Sequence, residues 1–316
     1  MSDKINVRWV VAHEPVELFL KSARTFADII SKMSNDRINV EILTVSEWKN
    51  QYEVANTSVF GALKNNTIQM GQYQTTLMGT LEKNYHILDM PFLFKDHDHV
   101  GRVLNGQIGN SLLKSLEKKS SLTGLAFTYS GGFRIMINKE PILKFEELQG
   151  KSISCVPSPV IAETFKSIGA NPVFDAGWGV EDDLELVGAT EEEIHGSETT
   201  FVRYNKVKDS YPYIVDTQHS LFLTTIVVNS EFFNSLTNSD QEIFKLAAKQ
   251  AAEQERKQTV IDSEEFKKNH LNFCSGLYEF SDDDIEKFKL ATRKLYTSDF
   301  AKNSFSPGLL KAIELA

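Results

Sequence analysis

The stretch GGFRIMINKEPILKFEELQGKSISCVPSP, from Gly131 to Pro159, does most to predict how this chain folds. Two glycines precede Arg134, which opens an apolar run typical of a buried strand. A short acidic helix, a glycine stop at Gly150 and a second strand-like segment follow, and the polar positions of that second strand are serines. Strand, helix and strand in this order indicate an α/β sheet.

The same alternation of strands and helices extends in both directions from this stretch. An N-terminal strand ends near Pro15, which opens a helix with apolar residues at helical spacing. Further strands and helices alternate up to LTGLAFTY, which begins at Leu122 and leads into the quoted stretch. One helical pattern of thirty-odd residues covers 236–273, and Thr237 or Ser239 is expected to cap it.

Length and composition limit the classes of protein to which the chain can belong. It has 316 residues, of which 41% are hydrophobic, and a net charge of −9. This length favours two domains or lobes, and the absence of a basic run disfavours a nucleic-acid partner. No apolar stretch is long enough to span a bilayer. The first residues lack the regions of a signal peptide, which leaves a cytosolic protein or one whose leader has been removed.

Motifs of catalysis and metal binding are weak in this sequence. Cys155 and Cys274 are too few for a disulfide scaffold, and two separate buried thiols are expected. The G-x-S-x-G, H-E-x-x-H and Walker A motifs are absent, although a catalytic triad from distant parts of the chain remains an alternative. The DHDH run at 96–99 has poor ligand spacing because consecutive side chains point in different directions. We therefore expect no enzyme activity, no cofactor and no metal.

Several segments, in order, resemble the DctP-type substrate-binding proteins of TRAP transporters. DMPFLFKDHDHVGRVLNGQIG, from Asp89, is similar to the family's lDlPFlF segment and the helix after it. The stretch from Gly131 is similar to the family signature with GfR, PI and LkGlKi. HGSETTF, from His195, stands where the family has DGqEnp, and the segment from Asn229 is similar to the family's long helix and its approach.

This resemblance implies a fold and a mechanism of ligand capture. The fold is α/β, a two-lobed periplasmic-binding-protein fold with a hinge and a long C-terminal helix that spans both lobes. Lobe I is expected to comprise residues 1–126 and about 213–252, and lobe II residues 127–212 and about 253–316. The ligand lies in the cleft between the lobes, and bending at the hinge closes them over it.

Arg134 is the first residue expected in that cleft. An arginine makes two parallel charge-assisted hydrogen bonds to a carboxylate and stays charged at any working pH. From the residues alone, the alternative is that Arg134 forms a structural salt bridge or lies on the surface. The resemblance favours a cleft residue, because GFR is where family members place an arginine that contacts the ligand.

Ser154 departs from the family pattern. Family members usually have an arginine there, which makes the main bidentate contact with the ligand carboxylate. A serine offers one hydroxyl and no charge, so the affinity for an acid must change. Arg134 holds the acid alone, or another cation such as protonated His13 or His219 replaces the missing one, or the ligand is not a simple monocarboxylate.

Other ligand contacts are expected from the same resemblance. Glu198 matches the family's glutamate, and Thr199 stands where the family has an asparagine. Trp178 lies near the aromatic residue that commonly closes over the ligand, although a core or surface tryptophan is the alternative.

Strand ends supply the remaining candidates, because ligands of open α/β sheets lie beyond the carboxyl ends of strands. His13 ends the first predicted strand, and Gln72 and Tyr73 end the third. His219 follows a turn that resembles a family segment near the pocket. For each of these residues a structural role is the alternative.

The sequence therefore predicts the solute-binding subunit of a TRAP transporter, located in the periplasm, whose leader is absent from the sequence. Its ligand is expected to be a small carboxylate, with a specificity altered at Ser154. The alternative is a receptor of the same fold for an uncharged or apolar ligand that feeds a signalling partner. The expected partners are the ligand and the TRAP membrane permease subunits, and the protein is expected to be a monomer.

Overall fold

The computed structural model describes residues 4–12, 16–54, 57–174 and 193–316. These residues form two mixed β-sheets covered by helices, so the predicted α/β class is confirmed.

The first sheet has five strands in the order β2–β1–β3–β10–β4. The bounds of its strands are β1 Ile5–Val11, β2 Ile38–Thr44, β3 Met70–Gln74, β4 Leu122–Phe133 and β10 Leu221–Asn229. Strands β1, β2 and β3 run parallel, whereas β10 runs antiparallel to both of its neighbours.

The second sheet has six strands in the order β11–β9–β5–β8–β6–β7. The bounds of its strands are β5 Ile135–Asn138, β6 Ser152–Cys155, β7 Asn171–Phe174, β8 Gly196–Thr199, β9 Tyr213–Val215 and β11 Gly276–Tyr278. A single residue lies between the end of β4 and the start of β5, so the quoted stretch carries the chain from the first sheet into the second. Arg134 is the residue at that crossing.

Helices cover both sheets in the described ranges. Their bounds are α1 Val16–Ser34, α2 Val45–Gln51, α3 Val59–Lys64, α4 Thr75–Leu81, α5 His97–Asn105, α6 Gln107–Lys119, α7 Pro159–Ser167, α8 Ser230–Ser235, α9 Asn238–Lys268, α10 Asp282–Arg293, α11 Asp299–Ser304 and α12 Leu309–Glu314. The short acidic helix expected after β5 is a 3₁₀ turn at Phe145–Leu148.

Helix α9 joins the two halves of the molecule, as expected. It has 31 residues, or about 46 Å at 1.5 Å per residue, and Thr237 caps it by accepting a hydrogen bond from the N–H of Asp240. Phe244 and Ala251 of its first half lie in the core under the first sheet, and Phe266 near its end lies in a core of the second sheet. The prediction of a long helix that spans both lobes is confirmed.

The last helices pack differently from the predicted lobe assignment, which otherwise stays a prediction. Residues 253–316 were assigned to lobe II, yet Leu295, Phe305 and Ile313 lie in a core formed mainly by residues around the first sheet. A helical pattern in the sequence indicates an apolar face but not which sheet that face will cover.

The two cysteines are separate buried thiols, as expected. Cys155 lies in one core of the second sheet and Cys274 in another. Burial raises the pKa of both thiols, so neither is poised to react as a thiolate. Within the described ranges, no helix is both long and apolar enough to cross a membrane.

Helix α9 also buries a carboxyl group against the first sheet. Glu255 accepts hydrogen bonds from Gln72 Nε2 at 2.9 Å and from Thr128 Oγ1 at 2.8 Å, which belong to β3 and β4. Burial raises the pKa of Glu255 to about 8. The folded protein therefore binds a proton at Glu255 at pH values where the unfolded chain has released it.

We expect this group to make stability fall as the pH rises. The folded pKa is about 8 and the unfolded value about 4.5, so the free energy of unfolding decreases between these two pH values. Glu255→Gln should reduce this loss of unfolding free energy between pH 4.5 and 8, by on the order of a few kcal/mol. Urea denaturation at pH 5, 6.5 and 8 measures the slope, and Glu242→Gln at an exposed position of α9 is the control. Equal slopes in the two variants would contradict the assignment.

Gly131 is required at its position for two reasons. Its φ is +95°, a region that side chains rarely adopt, and a Cβ there would lie 2.0 Å from Thr200 Oγ1. Gly150 has a φ of +73° but open space around its Cβ position.

The two glycines form a matched pair for substitution. Gly150→Ala should cost about 1–2 kcal/mol, because only the backbone conformation is unfavourable. Gly131→Ala should cost clearly more, because Thr200 must also move. Chemical denaturation measures both values, and a smaller loss for Gly131→Ala would show that the close approach of Thr200 is unimportant.

Candidate functional site

Arg134 is held where the chain crosses between the sheets. Its backbone N–H donates to the carbonyl of Ser220, just before β10, at 2.9 Å. Its guanidinium lies over the ring of Phe222, with Cζ 3.9 Å from the ring centroid. The side chain is fully buried, so it needs compensation for its lost hydration.

Glu198 provides that compensation. Its Oε1 lies 3.2 Å from Arg134 Nη1, and both side chains are at most 1% exposed. Glu198 of β8 pairs with Met136 of β5, so the two side chains share a face of the sheet. Arg134 is two residues before Met136, and because side chains alternate along a strand, Arg134 lies on that same face. The same oxygen accepts a hydrogen bond from the N–H of Val156 at 3.2 Å.

His219 is the third member of this buried group. Its Nε2 lies 3.5 Å from Glu198 Oε2, and its Nδ1 lies 2.7 Å from Thr217 Oγ1. Its ring stacks on Phe288 of α10. We call Arg134, Glu198 and His219 the charged cluster.

The charged cluster leaves hydrogen-bonding capacity unused. Apart from the ion pair with Glu198, the side-chain nitrogens of Arg134 make no hydrogen bond to any residue in the described part of the chain. A buried guanidinium with unpaired N–H groups is costly, and a carboxylate is the acceptor that fits its geometry best. The arrangement is therefore suited to receive an anionic group from outside the described residues.

Ser154 and Thr199 lie on the opposite face of the second sheet from Glu198. Ser154 of β6 pairs with Ser197 of β8, and Ser197 shares a face with Thr199 because they are two residues apart. Ile153 and Cys155 lie on the other face of β6 and point into a core. Both side chains are buried. The serines of β6 thus occupy one face of the strand, and its apolar residues occupy the other.

The remaining predicted residues do not join the charged cluster by any contact among the described residues. Gln72 donates to Glu255 and to Thr224 Oγ1, against helix α9. Tyr73 points to the other side of β3, into the core that also holds Leu295 and Phe305, with its ring 5.1 Å from that of Phe60. A ligand role for these two residues stays a prediction. His13 and Trp178 lie outside the described residues.

The DHDH run has structural contacts that differ for each residue. Asp96 caps α5 by accepting from the N–H of His99 at 2.7 Å. His97 Nδ1 lies 2.8 Å from the hydroxyl of Tyr129, and His99 Nε2 lies 2.8 Å from the carbonyl of Ile313. These side chains serve helix capping and packing rather than a common ligand.

Sequence reasoning missed two residues next to the charged cluster. Phe222 carries the Arg134 guanidinium on its ring, and Arg203 Cζ lies 5.6 Å from the centroid of the same ring. Phe222 looks like any other apolar residue of a central strand. Arg203 follows the GSETTF segment closely, but nothing in its spacing indicates a contact with β10.

Comparison with known proteins identifies the family of the chain. The profile of the DctP family, described as bacterial extracellular solute-binding protein family 7, matches residues 11–303. This match covers most of the chain. The chain belongs to this family.

Relatives in the family share both sequence and fold with the chain. The C4-dicarboxylate-binding protein DctB of Bacillus subtilis is 26% identical over 268 residues, which cover 84% of this chain and 74% of DctB. A TRAP periplasmic solute-binding protein of Shewanella oneidensis with bound succinate aligns with a TM-score of 0.82 at 18% identity over 99% of both chains. One of a Polaromonas species, bound to D-erythronate, aligns with a TM-score of 0.82 at 22% identity over 98% of both chains.

These matches confirm the predicted family, the two-lobed fold and the transport class. The family and the fold are those of solute-binding proteins, and no catalytic relative is among the similar proteins named above.

A large groove in this DctP-family chain borders the charged cluster through Thr217, whose Oγ1 lies 2.7 Å from His219 Nδ1. It has a volume of about 800 Å³ and is lined by Phe92, Phe133, Phe280 and Tyr296 among others. Among the described residues, none of the predicted ligand residues lines it. Phe133 and Arg134 are consecutive residues of extended chain and point to opposite sides, so the size of the groove does not locate the ligand site.

Removal of one partner from the buried ion pair should be strongly destabilising. Glu198→Gln should cost about 3–5 kcal/mol, because it leaves the Arg134 charge buried and uncompensated. The double variant Arg134→Met, Glu198→Gln should recover part of the loss. Urea denaturation of the two single variants and the double variant gives the coupling. Strictly additive losses would show that the two side chains do not interact.

Proposed function

We propose that this chain is the extracytoplasmic solute-binding subunit of a TRAP transporter and that it captures a small organic acid. One observation carries the proposal: the buried Arg134 guanidinium has unused N–H groups beside a crossing between two sheets. The family relationship supports it, since the similar proteins of known ligand bind succinate and D-erythronate and DctB is named for C4-dicarboxylates.

The residues of the charged cluster have separate tasks in this proposal. Arg134 binds the ligand carboxylate through its planar fork. Glu198 holds the guanidinium in one orientation, and His219 Nε2 lies 3.5 Å from the second carboxylate oxygen of Glu198. Because the cluster is already positioned by β4, β8 and β10, little conformational entropy is lost when the ligand binds.

The position of the charged cluster connects ligand binding with closure of the cleft in this proposal. Arg134 sits on the chain segment that links the two sheets, and its backbone is bonded to the segment that leads into β10. A ligand that contacts this segment and both lobes stabilises the closed arrangement, which shifts the population toward it. The membrane permease subunits then recognise the closed form outside the cytoplasmic membrane, in the periplasm.

Ser154 sets the specificity in this proposal. Its hydroxyl gives one hydrogen bond and no charge, so the affinity for an acid depends on cations elsewhere. Thr199 lies on the same face of the sheet and adds a second hydroxyl.

A thermal-shift screen tests the proposed function. Small carboxylates, including succinate and D-erythronate, are compared with their uncharged amides. An acid at 100 times its dissociation constant should add about 2.7 kcal/mol to the free energy of unfolding. A panel in which only uncharged or apolar solutes raise the melting temperature would contradict the proposal and favour an uncharged ligand.

The role of Arg134 is tested with the acid that gives the largest shift. Arg134→Lys keeps the positive charge but loses the planar fork, so the dissociation constant should rise at least tenfold. Arg24→Lys, at an exposed position of α1, is the matched control and should bind as the wild type does. Calorimetric titration measures both, and an unchanged affinity in Arg134→Lys would remove Arg134 from the site.

A further inference from the structure

A short segment, residues 89–92, joins the two halves of the molecule outside the charged cluster. We call it the 89–92 segment. It begins at the last residue of a 3₁₀ helix, Lys83–Asp89, whose Leu88 lies in the core around the first sheet. Met90 lies in the same core, whereas Phe92 packs against a core of the second sheet. The segment thus belongs to the first half and reaches into the second.

Asp89 makes the first contact between the halves. Its carboxylate is buried, and Oδ2 accepts a hydrogen bond from Ser158 Oγ at 2.8 Å. Ser158 follows β6 of the second sheet and caps α7, where its side chain accepts from the N–H of Ile161. From the first half, Thr76 Oγ1 lies 3.2 Å and His86 Nδ1 lies 3.8 Å from the same carboxylate oxygen. Groups from both halves therefore meet at one buried carboxylate.

Phe92 makes the second contact, and its backbone is strained. Its φ is +55°, in the left-handed region that a bulky side chain rarely adopts. Its N–H donates to the carbonyl of His219 at 2.7 Å, and its ring lies edge-on to Phe288 with the centroids 5.2 Å apart. Such strain persists only where surrounding contacts hold it. Here those contacts are with His219 and with a core of the second sheet.

Both contacts are connected to the charged cluster. Val156 donates its N–H to Glu198 Oε1, and its carbonyl accepts from the N–H of Ser158 at 2.7 Å. One turn therefore links Asp89 to the carboxylate of the cluster. His219, which accepts from Phe92, is itself a member of the cluster.

Resting on the function proposed above, we propose that the 89–92 segment is a latch: the bond from Ser158 to Asp89 holds the two halves closed and so raises the affinity for the acid. When the halves separate, both groups exchange this bond for water. A hydrogen bond to a charged group is worth more than that exchange, so it favours the closed form. The ligand then spends less of its binding free energy on closure.

The test compares variants that lose a hydroxyl at different places. Ser158→Ala and Ser158→Gly both remove the bond to Asp89, and glycine retains most of the contribution of the helix cap. Ser158→Thr keeps both the hydroxyl and the cap. Ser58→Ala is the control for a lost cap, since Ser58 caps α3 by accepting from the N–H of Gly61 at 3.1 Å. Thr76→Val is the control for a hydroxyl that reaches Asp89 from the first half.

Small-angle X-ray scattering of the ligand-free proteins measures closure. Ser158→Ala and Ser158→Gly should have a larger radius of gyration than the wild type, whereas Ser158→Thr and the two controls should match it. An unchanged radius in Ser158→Gly overturns the inference. An equal increase in Ser58→Ala or Thr76→Val also overturns it, because that increase indicates a structural loss unrelated to the latch.

Calorimetric titration measures the effect on binding. The acid is the member of a panel of succinate, D-erythronate and L-gulonate that raises the melting temperature of the wild type most. Ser158→Gly should raise its dissociation constant about fivefold or more, and the two controls should stay within about twofold of the wild type. Equal dissociation constants in the wild type and Ser158→Gly overturn the inference alone. A wild type that binds no acid overturns the proposed function, while the scattering comparison still decides whether the latch exists.

Discussion

The buried ion pair between Arg134 and Glu198 is the interaction on which the rest of the site depends. It joins the crossing from β4 to β5 with β8, and Glu198 extends the contact to the backbone of Val156 and to His219. These segments come from four separate parts of the chain. A buried charge pair of this kind is costly to break from one side, so it fixes their relative positions.

The fold places this pair at a crossing of the chain between the two sheets. The crossing from β4 of the first sheet to β5 of the second consists of a single residue, and helix α9 runs from the core of one sheet to a core of the other. Glu255 anchors the middle of that helix to β3 and β4 by hydrogen bonds. In the proposed function, a ligand that satisfies the unused N–H groups of Arg134 acts on a segment that links the two sheets.

The sequence predicts much of this architecture but little of the chemistry at its centre. Apolar periodicity and caps located α1, α9 and the long strands, since these signals are local. The partner of Arg134 is 64 positions away in the chain, and only the pairing of β5 with β8 brings Glu198 to it. Gln72 is expected to end a strand, as a ligand residue would, yet it lies in the middle of β3 and its side chain bonds to Glu255 because helix α9 covers that face. Strand faces and helix positions set such contacts, and spacing in one sequence does not reveal them.

The most direct test of this account is a crystal structure with the acid that stabilises the protein most. The account predicts a ligand carboxylate within hydrogen-bond distance of the Arg134 guanidinium, about 2.7–2.9 Å, with the contact to Glu198 retained. It would be contradicted by a ligand whose carboxylate lies elsewhere, for example in the groove beside Phe133, with the N–H groups of Arg134 still without an acceptor.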